Sequence, residues 1–222
     1  LKGPFPAKEP LADPSVEDPF VPEVIVVQDM GMGRWITHRL AQQFGIAVNL
    51  RFLVPAALVD LVYDAWLGED LCQAAARDWS RPALTWRLFR LLKACRRDER
   101  FLELQQYMAD DPSGRKRYEL AARIAAVFDR YLVYRQDVLM AWEAGEGNDW
   151  QPHLWRLLVQ DIPVAHQGRR HQQFMEAARR GRSPRHPGRL PHRVSLFGVA
   201  MIAPVHLDVF DILASRIPLT LY

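Results

Sequence analysis

Apolar positions along this chain recur with two different periods, and the alternation between them sorts it into strands and helices. Val24, Ile25, Val26 and Val27 make a continuous apolar run, the pattern of a strand buried on both faces of a parallel sheet. Trp35, Ile36, Leu40 and Phe44 follow at helical spacing, which predicts a helix over about 34–44 with its buried stripe on those four residues and its stop at Gly45. Ile46 to Val54, IAVNLRFLV, reads as a second strand, and Pro55 opens a helix through AALVDLVYDAWL.

From there to about residue 181 the pattern is helical throughout. Ser80 caps a segment carrying Leu84, Leu88 and Leu91, and Asp98 opens one carrying Phe101, Leu102 and Leu104. Asp110-Asp111-Pro112-Ser113-Gly114 is a turn, followed by a long helix through Tyr118, Ala121, Ile124, Phe128, Tyr131 and Leu132. A short helix is expected from about Asp137 to Gly145, another opening at Pro152, and a last one over Gln172–Ala178 that Gly181 stops. Arg182 to Pro191 is a Pro-rich linker.

Beyond the linker, Val194–Val199 is a strand, Pro204–Arg216 a helix with Val205, Val209 and Leu213 in register, and Leu219–Tyr222 a strand. Strand, helix, strand at this spacing is a crossover unit and implies a parallel sheet. The expected fold class is therefore α/β. Its sheet domain comprises residues 23–55 and 183–222, and an all-helical subdomain over 56–182 is inserted between them. Residues 1–22 hold Pro4, Pro6, Pro10, Pro14, Pro19 and Pro22 and read as an extended lead-in.

The stretch VIVVQDMGMGRW, Val24 to Trp35, has the order of a phosphate-binding loop: buried strand, a turn at Gly31 and Gly33, then a helix opening at Arg34. A working loop of that kind needs a Lys for the β/γ-phosphates and a Ser or Thr for Mg²⁺, and a dinucleotide fingerprint needs a third Gly two residues past Gly33. Arg34, Trp35 and Ile36 stand there instead. An indole in the first helical turn would fill the space of a nucleotide's phosphates, so nucleotide binding is not expected.

Composition narrows the class further. With 222 residues, 49% hydrophobic and 25% charged, the chain can bury a sizeable core. No apolar run approaches the roughly 20 residues of a membrane span. The two cysteines, Cys72 and Cys95, have no metal-ligand spacing, and a reducing cytoplasm is the expected compartment. A start at Leu1 without Met, and an end on the strand-like IPLTLY, suggest a piece of a longer protein.

The net charge of +3 is unevenly spread. Glu9, Asp13, Glu17, Asp18, Glu23 and Asp29 make the start acidic, while Arg169, Arg170, Arg179, Arg180, Arg182, Arg185, Arg189 and Arg193 crowd a later stretch. Lysine occurs only at Lys2, Lys8, Lys93 and Lys116. Codon bias in a G+C-rich genome accounts for the preference for arginine, but an Arg-dense stretch is also what phosphate recognition uses.

Candidate catalytic chemistry is sparse. Asp208 and Asp211 have the i, i+3 spacing of a solvated helix face, and Asp110, Asp111 and Lys116 sit in ordinary turn chemistry rather than in a metal-dependent nuclease site. His166 and His171, or His186 and His192, match no tetrahedral ligand pattern. No catalytic residue and no metal site is expected. Phe128-Asp129-Arg130-Tyr131-Leu132-Val133-Tyr134-Arg135 interleaves rings with guanidinium groups, a composition that suits stacked bases and held phosphates. Phe128, Tyr131 and Leu132 belong to the helix stripe, whereas Tyr134 and Arg135 lie past it and are candidates to face a ligand.

Four blocks, VIVVQDMGMGRWI, FGIAVNLRF, FDRYLVYRQD and RVSLFGVAMIAPVHLDVF, occur here in an order that resembles the N-terminal part of the RecC family, the gamma subunits of exodeoxyribonuclease V. The likeness runs from about Asp18 to Tyr222. It implies a sheet like that of a superfamily 1 helicase (P-loop NTPase-like) whose ATP site has been lost. It also implies a non-catalytic DNA-binding and scaffolding subunit of an ATP-dependent helicase and exonuclease that acts on double-strand ends in recombinational repair. Such a subunit assembles with RecB-like and RecD-like partners, which use the ATP and Mg²⁺, contacts single-stranded and duplex-end DNA, and scans the 3′-ended strand for the hotspot Chi. Carried over position by position, the strand-scanning residues fall at Gln28, Asp129 and Arg135, which keep the family's residue types. Met30 stands for Thr, Arg34 for Gln, Val54 for Leu, Asp60 for Trp, Ala126 for Asp and Gln167 for Arg; Arg130 and Tyr134 complete the expected DNA-binding set. Gln28 can offer a donor and an acceptor to a base edge, Arg135 can pair with guanine or phosphate, and Asp129 can accept from an amino group. The strand end at Gln28 and the helix end at Arg135 are expected to face one channel.

Overall fold

Strand β1, Glu23–Val27, is the element on which the sheet is built: Val24, Val26 and Val27 are buried, and it pairs with a neighbour on each side. The computed structural model describes residues 20–95 and 98–222, and the side chains of these except 69–72. The lead-in expected over residues 1–22 lies outside the described residues as far as residue 19, as do Glu9, Asp13, Glu17 and Asp18.

The described elements run β1, α1 (Met30–Phe44), β2 (Leu50–Leu53), α2 (Pro55–Leu67), α3 (Glu69–Asp78), α4 (Arg81–Ala94), α5 (Leu102–Tyr107), α6 (Arg115–Tyr134), α7 (Gln136–Glu143), α8 (Trp150–Asp161), α9 (Gln167–Arg179), β3 (Val194–Phe197), α10 (Pro204–Ala214) and β4 (Leu219–Leu221). The four strands form one parallel sheet in the order β2-β1-β3-β4. Ile25 lies opposite Phe52 in β2 and Ser195 in β3, so strands from distant parts of the sequence are neighbours, as the patterning requires. The chain is α/β.

Two compact units can be separated. One holds the described residues up to Glu69 together with Gln173–Tyr222, and the other holds Asp70–Gln172. In the first, α2 and α10 pack together, and Leu58, Val59, Val62, Val209, Ile212 and Leu213 are buried along with the sheet's valines. Tyr63 and Trp66 of α2 close on Phe174, with ring centroids 5.4 and 5.3 Å apart.

In the second unit α4 packs along α6, burying Leu84, Leu88 and Leu92 with Ala121, Ile124, Ala125 and Phe128. Trp155 of α8 is fully enclosed, its ring 5.5 Å from Trp79 and 5.3 Å from Phe128. Cys95 is buried and free; burial, then the nearby Asp98 carboxylate, push its thiol up to about 11.

Several boundaries differ from those the sequence predicts, each for a local reason. Helix α1 begins four residues earlier than expected because Asp29 caps it, and Gly31 and Gly33 are therefore helical rather than part of a turn. Its buried face carries Gly33 and Ile36, while Trp35 and Phe44 are 52% and 67% exposed, so the expected stripe is only partly correct. Strand β2 keeps only Leu50–Leu53 of the run from Ile46, since Asn49 takes a left-handed φ of 57° that ends the extended backbone. Helix α9 starts at Gln167 rather than Gln172, and α8 at Trp150, where Asp149 accepts from the Gln151 N–H. Ser80, Asp98 and Gly45 act as caps at the positions expected of them.

Candidate nucleic-acid interface

Parallel strands bring the segments that follow them to one edge of the sheet, and that carboxyl edge is where open α/β sheets bind ligands. Here it collects Gln28 after β1 and Val54 after β2; the β1–β2 register, Val26 opposite Leu53, places the two exits side by side. Met30 and Arg34 lie in the first two turns of α1, which starts from the same edge. Gln28, Met30 and Arg34 are exposed and Val54 is half-buried. Asp60 is half-buried farther along α2.

At this edge a nucleotide phosphate would need the open amides at the start of α1. The Asp29 carboxylate already occupies them, accepting from the Gly31 N–H at 2.7 Å and the Met32 N–H at 3.0 Å. Gly31 makes room for this, since a Cβ there would stand 2.9 Å from the Asp29 oxygen. Gly33 is small for another reason. A Cβ there would come within 2.8 Å of the Phe52 ring, so the absent side chain lets α1 lie against β2. The two glycines thus serve a self-capped helix and its close approach to the sheet. A negative charge fixed at the helix start does not suit a phosphate ligand. Replacing Asp29 with Ala is expected to cost about 1 kcal/mol of stability in thermal unfolding, and Asp29→Asn clearly less.

The indole expected in the first helical turn is in the second. Trp35 leans on Phe197 at the end of β3, centroids 6.3 Å apart, and the Arg39 guanidinium lies 5.8 Å from its ring. Arg34, Trp35, His38 and Arg39 form the exposed, basic and aromatic face of α1. Trp35 and Arg39 are not among the expected site residues, because helical spacing alone assigns the indole to the core. The i, i+4 pairing of an aromatic with an arginine is the available signal.

The other expected residues belong to the helical unit. Asp129 is half-buried on α6, Arg130 is exposed, and Tyr134 is 63% exposed at the helix end, past the buried stripe of Phe128 and Leu132. Arg135 stands at the corner between α6 and α7. Its Nε and Nη2 donate to Asp137 at 3.2 and 3.4 Å. The hydrogen bond from Arg135 holds the Asp137 carboxyl below its ordinary value, and Asp137 in turn raises Arg135. Gln167 opens α9, and its neighbour Gly168 brings that helix start to Gln136, where a Cβ would sit 3.6 Å from the Gln136 side chain. The corner therefore gathers Tyr134, Arg135 and Gln167, while Asp129 and Arg130 lie one to two turns back along α6.

Behind that corner lies a buried polar network. His166 Nδ1 accepts from the Gly168 N–H at 3.1 Å, which leaves Nε2 as the donor to Glu143 at 2.5 Å. The Trp155 indole N–H donates to the same Glu143 oxygen at 3.1 Å, and Arg169 pairs with the other. Burial pushes the Glu143 carboxyl up, but the bonds from His166 and Arg169 outweigh it and hold the group below its ordinary value. His166 is thus a structural residue wedged edge-on against Trp79 and Trp155. Asp111 is likewise structural: it accepts from the Arg117 N–H at 2.9 Å at the start of α6. Asp208 and Asp211 are exposed on α10. Among the described residues no group of three or more His, Cys, Asp or Glu is placed to hold a metal, and no helix is long and apolar enough to cross a membrane.

The fold is a parallel α/β sheet whose first helix start is capped by its own carboxylate, joined in sequence to a bundle of helices. A family profile described as RecC, N-terminal domain, matches residues 8–222, and the chain belongs to that family. The chain is 34% identical over 218 residues to the RecBCD enzyme subunit RecC of Escherichia coli, covering 93% of this chain and 19% of that protein. It is 30% identical to the RecBCD enzyme subunit RecC of Haemophilus influenzae, covering 93% of this chain and 21% of that protein. The protein of the same name from Mycobacterium tuberculosis is also 30% identical, over 92% of this chain and 19% of its own length. The chain spans about a fifth of the length of these curated relatives.

Proposed function

We propose that this chain is the N-terminal part of a non-catalytic, DNA-binding and scaffolding subunit of a cytoplasmic ATP-dependent helicase and exonuclease. That complex acts on duplex DNA ends in recombinational repair, and the subunit guides the 3′-ended strand and scans it for a Chi-like hotspot. Its sheet is an inactivated superfamily 1 helicase-like domain with the helical residues 56–182 as an insert, and RecB-like and RecD-like partners supply the ATP and Mg²⁺ chemistry. The family membership and the names of the relatives support the assembly. The observation that carries the non-catalytic, strand-guiding reading is Asp29: it fills the phosphate position of α1, while the helix face beside it presents Arg34, Trp35 and Arg39.

Equilibrium binding separates this from a divergent ATP-binding helicase domain. The start of α1 is expected to bind no ATP, and the chain to bind single-stranded DNA with a steep salt dependence. If 6 to 10 phosphates are engaged, affinity for a single strand falls by about 10² to 10⁴ between 50 and 200 mM salt. Arg135→Ala should lower the slope of log affinity against log salt by about one. Gln28→Ala should instead change base preference, by about 1–3 kcal/mol at one position. Saturable ATP binding at the start of α1, read from the Gly31 and Met32 amide resonances, or strand binding and hotspot response left unchanged in the complex carrying both substitutions, would defeat the proposal.

A further inference from the structure

Helix α2 begins at the carboxyl edge of the sheet and ends, about 18 Å away at 1.5 Å per residue, beside a separate cleft. The cleft has a volume of about 350 Å³ and lies where the C-terminal ends of α2 and α9 meet the segment after α9. Trp66, Gln173, Arg180, Arg182, Ser183 and Arg185 line it. Glu176 also lines it and takes up Arg180 in an ion pair at 2.6 Å. Arg182 and Arg185 are exposed and form no ion pair with another described residue, so the lining carries an excess of two positive charges.

Two helix C-termini would ordinarily repel an anion, because their last carbonyls carry partial negative charge. Here several of those carbonyls are engaged. The Ala177 and Ala178 oxygens accept from the Arg182 and Gly181 N–H groups at 3.0 and 2.9 Å, and the Ala65 oxygen accepts from the His186 N–H at 3.0 Å. The same bonds tie down the backbone on which Arg182, Ser183 and Arg185 are mounted. The Trp66 indole N–H is buried without a hydrogen-bond partner among the described residues, a donor the fold has left unused.

We propose that this cleft binds a phosphate group carried by a nucleic-acid strand or a nucleotide. Arg182 and Arg185 supply forked, permanently charged donors, Ser183 and Gln173 supply neutral ones, and the indole of Trp66 lies at the wall. A volume of this size suits a phosphate with its attached sugar or a second phosphate, at the lower end of the range for ligand sites. The site stands apart from the carboxyl edge of the sheet and does not depend on what binds there.

The test follows the ¹⁵N-labelled tryptophan indole resonances of the chain during titration with inorganic phosphate and then pyrophosphate. The Trp66 resonance, assigned by its loss in Trp66→Phe, is expected to move. Arg182→Ala and Arg185→Ala should each weaken binding at least tenfold. Arg179→Ala removes the same charge from an exposed position outside the cleft and should change it less than twofold. Displacement of phosphate by a twelve-residue oligothymidylate identifies a strand as the source, and displacement by a nucleoside diphosphate alone identifies a free nucleotide. An unmoved Trp66 resonance, equal weakening by Arg179→Ala, or displacement by neither competitor overturns the proposal, the last marking an adventitious ion only.

Discussion

Replacing Glu143 with alanine is expected to cost the helical unit about 3 kcal/mol, read as a lower urea midpoint by tryptophan fluorescence. The side chain is 6% exposed and accepts from His166, Trp155 and Arg169. Its removal strands the His166 and Trp155 donors in an apolar enclosure, and hydrogen bonds to a charged group are worth about 1.5–3 kcal/mol each before relaxation. The sign of the pH dependence follows from the direction of the Glu143 shift. Its carboxyl is depressed in the folded chain below the ordinary 4.5, so its stabilisation is fully present above that value and fades as pH falls through the depressed one. The native chain should lose stability in that acidic window, and Glu143→Ala should lose less there. Equal acid sensitivity in both proteins would show that the network is not its source. The expected consequence reaches the candidate interface, because the network holds Gly168 and hence the start of α9 next to the Arg135 corner.

Gly33→Val is expected to destabilise the sheet unit by about 2–3 kcal/mol. Alanine in a helix interior normally gains up to about 1 kcal/mol over glycine, so a surface glycine would show the opposite sign. Here a Cβ would lie 2.8 Å from the Phe52 ring and 3.2 Å from its Cβ, and overpacking of that kind costs about 1–3 kcal/mol. Gly33→Val combined with Phe52→Leu should recover part of the loss. If Gly33→Ala alone proved stabilising in thermal unfolding, α1 would not lie as close to β2 as the geometry requires.

These two sites also show what can be read from the residues. The apolar run at Val24–Val27 and the crossover spacing after Val194 point to the parallel sheet, because strands buried on both faces leave a continuous apolar signature. The caps at Ser80 and Asp98 are legible because capping is equally local. Gly31 and Gly33 are visible as glycines, but their role depends on Asp29 and Phe52, the second of which approaches only once β1 and β2 pair. Trp35 fits a helical stripe by spacing, yet whether an indole faces the core depends on where the helix meets the sheet, and here Gly33 and Ile36 take that face. The exposure of Tyr134 and Arg135 is readable because they fall past the end of the α6 stripe. The partnership of Glu143 with His166, 23 residues apart, has no periodic signature at all.

The thiol of Cys95 has a practical consequence for studying strand contact. With its pKa pushed up to about 11, the reactive thiolate at neutral pH is on the order of one part in ten thousand, and burial shields it further. Once Cys72 is replaced, a single cysteine introduced at position 28 or 135 would then be the site that takes a maleimide dye. Proximity between a labelled DNA strand and each surface could be followed in turn, with the native sulfur remaining a silent bystander.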